Sequence, residues 1–116
     1  MQSSNAPNML TVLIANRPVG SVEVREQSAK KVWGQFMPND GLAPYRQVFE
    51  DAVELSRQYE AVPSTQPIDY HLWDRLMDAY ERIKKFKLAL MEVPVPIEEF
   101  ALDADWSVEI TFADPA

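Results

Sequence analysis

Between Leu42 and Tyr59 the apolar residues Leu42, Tyr45, Val48, Phe49, Ala52, Leu55 and Tyr59 recur three and four residues apart. That is the period of a helix that buries one face. The polar residues between them, Arg46, Gln47, Glu50, Asp51, Glu54, Arg57 and Gln58, belong to water, so the apolar stripe must cover something broader than itself. Segments with a period of two, before and after it, supply a sheet.

The first is Met9 to Ala15, a short run of β-branched and large apolar residues. Asn16, Arg17 and Pro18 signal a turn, and Val19 to Glu26 then sets Val22 and Val24 on one face against Ser21, Glu23 and Arg25 on the other. These two runs predict a hairpin. Lys31 to Met37 is a third strand, with Val32, Gly34 and Phe36 opposite Trp33, Gln35 and Met37. Gly34 marks a bulge or a bare patch of backbone beneath an aromatic ring. Asn39 or Asp40 caps the following helix, and Pro44 is compatible only with its first turn.

A second helix is predicted over Tyr70 to Phe86, with Asp69 as its cap and an apolar stripe of Leu72, Trp73, Leu76, Ala79, Tyr80 and Ile83. Trp73 is expected in the core. Asp78 with Arg82, and Glu81 with Lys85, are spaced as i,i+4 ion pairs. Residues 88–93 lie between an extension of this helix and a strand, and Pro94 and Pro96 favour the strand. Ile97 to Leu102 and Trp106 to Phe112 complete the pattern as two further strands joined by Asp103, Ala104 and Asp105.

The predicted fold is therefore α+β: a mainly antiparallel sheet of five to six strands, two antiparallel helices on one face, and the order βββααββ(β). Residues 1–8 read as a disordered leader and 9–113 as one domain. The chain of 116 residues has no cysteine, and its first residues lack the basic and apolar regions of a signal peptide. A cytoplasmic protein is expected, with no membrane contact, since no apolar run approaches the roughly 20 residues of a spanning helix.

Charge is distributed unevenly. Residues 1–87 carry 11 acids and 11 bases, so the whole net charge of −7 comes from seven acids beyond Lys87, where there is no Lys or Arg. That end repels nucleic acid and suits a basic protein partner. Lys84, Lys85 and Lys87, with Arg82 and Phe86, form the one basic patch, which a helix C-terminus accounts for.

No motif assigns a reaction. Three glycines allow neither a phosphate loop nor a dinucleotide fingerprint. The acids from Asp103 to Glu109 superficially resemble a calcium loop, but Val108 occupies the position that demands glycine, and Asp103 and Asp105 read better as exposed acids of a hairpin turn. No metal or cofactor is expected. The first functional reading is a non-catalytic interaction or regulatory module. It uses a sheet face with Trp33 and Met37, joined by Leu13, and an acidic hairpin with Glu98, Glu99, Asp103 and Asp105, to bind a basic partner or a second copy of itself. The second reading is a small-molecule binder or minor enzyme, with Tyr70, His71 and Tyr80 lining a pocket between the helix pair and the sheet.

Overall fold

A computed structural model describes residues 8–63, 65–67 and 69–113. The chain opens with β1 (Asn8–Ile14) and β2 (Arg17–Gln27), which pair antiparallel. Most of the expected leader lies outside the described residues; its last member, Asn8, already opens β1. The connection is tighter than the expected three-residue turn. Ala15 and Asn16 alone make it, with φ of 51° and 68°, while Arg17 and Pro18 already belong to β2. Positive φ at both central residues is the type I′ turn, whose twist matches that of the flanking strands.

Strand β3 (Lys31–Pro38) pairs with β2, and its alternation is as expected: Val32, Gly34 and Phe36 are buried, Trp33 and Met37 exposed. Gly34 is a point of close backbone approach. A Cβ there would lie 2.1 Å from the Glu23 carbonyl oxygen of β2. The bulge itself falls on the neighbouring strand, between Val24 and Glu26.

The first helical stripe is divided in two. A 3₁₀ turn, Asp40–Tyr45, contains Pro44 and buries Leu42, and α1 (Arg46–Glu60) begins only after it. Proline lacks the N–H that an α-helix interior requires, so the regular ladder starts beyond it. Asn39 is the cap, its Oδ1 accepting from the Gly41 N–H at 2.7 Å. Helix α2 (Tyr70–Lys85) starts as expected, with Asp69 Oδ1 accepting from the Leu72 N–H at 3.1 Å. Trp73 is not core: it is 39% exposed and lies against Tyr59 of α1 at 5.4 Å between ring centroids. Asp78 pairs with Arg82 at 3.1 Å, whereas Glu81 meets Lys84 at 3.9 Å rather than Lys85.

After α2 come β4 (Leu88–Leu90), β5 (Ile97–Leu102) and β6 (Ser107–Phe112). The result is an α+β fold with a six-stranded antiparallel sheet and two helices, in the strand order β4-β1-β2-β3-β6-β5. The opening three-strand meander is central, and later strands flank it on both sides. The sheet is not an open layer but nearly barrel-shaped, with β4 and β5 at its two ends drawn close together. Register shifts at Val12/Leu13, Val24/Glu26 and Ile97/Glu99 supply extra twist, which is how bulges curl a sheet.

The helices pack on the inner face. Phe36 of β3, Phe49 of α1 and Phe100 of β5 meet with ring centroids 5.8–6.0 Å apart, and Phe86 at the end of α2 stacks on Phe49 at 6.3 Å. Among the described residues, no helix is long and apolar enough to cross a membrane.

Candidate functional site

The outer face of the sheet, away from the helices, carries Trp33. A regular β2 strand would set one residue opposite it. The bulge at Val24/Glu26 sets two, bringing both Arg25 and Glu26 to the ring. The Arg25 guanidinium carbon lies 5.7 Å from the Trp33 ring centroid, a cation–π geometry. On the other side of Trp33 the register partner in β6 is Glu109, which also meets Lys31 at 3.6 Å. Trp33 therefore has a glutamate as its register partner on each neighbouring strand, and a cation of its own chain lies over the ring.

This face is continuous with the β5–β6 turn. Gln35, two residues along β3 from Trp33, donates its amide N–H to the Asp105 carbonyl oxygen at 2.8 Å. Asp105 Oδ1 accepts from the Ser107 hydroxyl at 2.6 Å and from the Ser107 N–H at 3.0 Å. These bonds, with the charge of Arg25 nearby, hold the Asp105 carboxyl below its ordinary range. Glu98 and Glu99 are exposed on β5, beside the bulge at Ile97/Glu99.

Other expected members are placed differently. Met37 is 39% exposed but lies beyond Gln35, four residues or about 13 Å from Trp33. Ser21 and Glu23 face this part of β3 from β2, so the apolar surface is broken by polar rows rather than continuous. Leu13 is half-buried on β1, two strands away.

Asp103 is half-buried rather than displayed in the turn. Trp106 adopts φ 65°, just before β6, and stacks on Phe36 at 6.1 Å, which folds the turn back toward the helices. Burial, reinforced by Glu60 and Asp105, pushes the Asp103 carboxyl up despite its bond from Ser107. Behind it, the Tyr80 hydroxyl donates to the Leu102 carbonyl oxygen at 2.9 Å, and the buried Ser56 hydroxyl donates to Glu60 at 3.4 Å. Burial holds the Tyr80 phenol above its ordinary value. The sequence reading included Tyr80 and Asp103 but placed them in different sites, and it missed Ser56 and Glu60 beside them. Ser56 lies one position from Leu55 on the stripe, the single clue to its burial.

The second constellation does not converge. His71 and Tyr80 are nine residues apart on α2, which at 100° per residue sets them on opposite sides of the helix. Tyr70 is 71% exposed. The hollow between α2 and β5, lined by Met77, Tyr80 and Phe100, measures about 110 Å³, well below the usual size of a small-molecule site. A larger groove of about 500 Å³ runs between α1 and α2, walled by Asp51, Glu54, Asp74 and Asp78 with Arg75 and Arg82, and contains neither His71 nor Tyr80.

Glu92 is a feature that no sequence pattern announced. Its carboxylate accepts from the Thr11 N–H at 2.7 Å and from the Thr11 hydroxyl at 2.8 Å. It closes the edge of β1 where the three-residue β4 has already ended. Compared with known proteins, the chain matches no family model, no curated protein and no solved structure.

Proposed function

We propose that the chain is a non-catalytic docking module for a basic segment of a partner protein, received on the outer sheet face around Trp33 and along the acidic β5–β6 turn. One observation carries this reading: the bulge in β2 lays Arg25 over Trp33, whose register partners on the two neighbouring strands are Glu26 and Glu109. An aromatic ring with glutamates on the neighbouring strands is suited to a guanidinium or ammonium group, and here it already holds one. A partner's arginine exchanges with Arg25 in the same geometry. The charge of β5, β6 and their turn favours the encounter: Glu98, Glu99, Asp105 and Glu109 are exposed, and of these four only Glu109 makes an ion pair among the described residues, with Lys31.

The test is a titration of the isotope-labelled protein with an arginine-rich peptide, followed by nuclear magnetic resonance. The expected result is saturable shifts of the Trp33 indole and of the Gln35, Asp105 and Glu109 amides, weakened by added salt. Shifts confined to the helices, or none, overturn the reading. Dimerisation through this face without peptide binding, seen by light scattering, also overturns it in favour of self-association.

A further inference from the structure

The geometry points to a binding site for an amphiphilic anion at the open seam of the sheet, independent of the surface around Trp33. The seam exists because the sheet almost closes but does not. Strand β4 has only three residues, β5 begins after Pro94 and Pro96, and the two are the end strands of the sheet. Between them and the end of α2 lies a cleft of about 300 Å³, at the lower limit for small-molecule sites, which favour the mouths of barrels.

Its lining divides into two halves. Half-buried Phe86, Leu88 and Ile97, backed by the buried Phe100, form its apolar side, and Lys84, Lys85 and Lys87 supply three ammonium groups, with no carboxylate among the lining residues. Lys84 has only a distant partner, Glu81 at 3.9 Å, and Lys85 and Lys87 make no ion pair among the described residues. Three lysines thus line this cleft in a chain of net charge −7, and the nearby Glu81 and Glu99 line the adjoining hollow with Lys84 rather than the cleft itself. The negative end of α2 accounts for Lys84 and Lys85, which lie in its last turn. It does not account for Lys87, which stands past the Phe86 cap where the backbone has become extended. The Lys87 carbonyl accepts from the Ala15 N–H at 3.0 Å, fixing that residue at the rim of the cleft. Three cations beside an apolar wall suit a carboxylate or phosphate carried on an aliphatic or aromatic body.

The full chain is titrated with octyl phosphate and with octanoate below their micellar concentrations, and separately with inorganic phosphate and with octanol. Amide and lysine side-chain resonances report the site. The expected result is saturable binding of at least one amphiphilic anion at Lys84 to Leu88 and Ile97 to Phe100, about tenfold or more tighter than inorganic phosphate or octanol. A Lys85→Gln, Lys87→Gln double variant is expected to weaken that binding by about tenfold while the Trp33 resonances stay in place. The inference is overturned if neither anion saturates these resonances. It is equally overturned if octanol binds as well as the anions, or if the folded double variant, checked by circular dichroism, binds them unchanged. The Trp33 surface is read by different residues, so either site can fail alone.

Discussion

Trp33→Ala and Phe36→Ala remove two large aromatic rings from one strand, and the account predicts very different costs. Phe36 is 1% exposed and lies about 6 Å from each of Phe49, Phe100 and Trp106. Truncating it leaves a cavity at the centre of the core, at a cost of about 3–5 kcal/mol. Trp33 is 36% exposed and points to the other face. Its removal loses cross-strand contacts with Glu26 and Glu109, of order 0.2–1 kcal/mol each. The cation–π contact with Arg25 adds about 0.5–1 kcal/mol, for a total of about 1–3 kcal/mol, below the cost of truncating Phe36. Urea denaturation of the two variants measures the difference directly, provided the slope with denaturant is unchanged. If Trp33→Ala costs as much as Phe36→Ala, the indole is part of a core, and the assignment of an outer face to it is wrong.

Glu92→Gln is expected to lose about 0.5–1.5 kcal/mol, because the charge-assisted bonds to Thr11 weaken at the edge of β1. Desolvation raises the Glu92 carboxyl, but the two bonds from Thr11 outweigh it and hold it below its ordinary value. That contribution is present above the unfolded pKa and is lost as pH falls through the folded one, so the variant should be less acid-sensitive in that window when melted at a series of pH values. Asp103 has the opposite sign. Burial raises it, so its contribution to stability is full below its ordinary pKa and lost as pH rises through the raised value; Asp103→Asn should flatten this limb in the same melting series. Gly34→Ala places a Cβ against the Glu23 carbonyl and is expected to cost about 3 kcal/mol or more, read by urea denaturation; a neutral result contradicts the close β2–β3 approach.

The local elements were legible because their cues are local. Strict alternation in 31–37 and 106–112 located β3 and β6, although Trp106, with φ 65°, stands just before β6 rather than in it, and caps at Asn39 and Asp69 located the helical starts. What was not legible depends on contacts between distant segments. No cue in β2 distinguishes Arg25 from the alternating residues around it, and the bulge that turns it onto Trp33 arises from its pairing with β3. Trp73 fits the stripe of α2 by spacing, yet it lies at the stripe's margin, where Tyr59 covers one side and water the other. Asp103 read as a solvated acid until the left-handed Trp106 turned the loop inward beneath the helices. The return of β4 beside β1 and of β6 beside β3 is a long-range choice that three strands at the start and three at the end leave open.

The most direct test of the docking account is the affinity of the arginine-rich peptide for the Arg25→Ala variant, measured by calorimetry beside the unaltered chain. If Arg25 occupies the place of a partner's guanidinium, its removal frees the ring and tightens binding about two- to fivefold, the equivalent of one exposed cation–π contact. Unchanged or weaker binding contradicts the claim that the Trp33 ring, with its register partners Glu26 and Glu109, is where the basic segment docks.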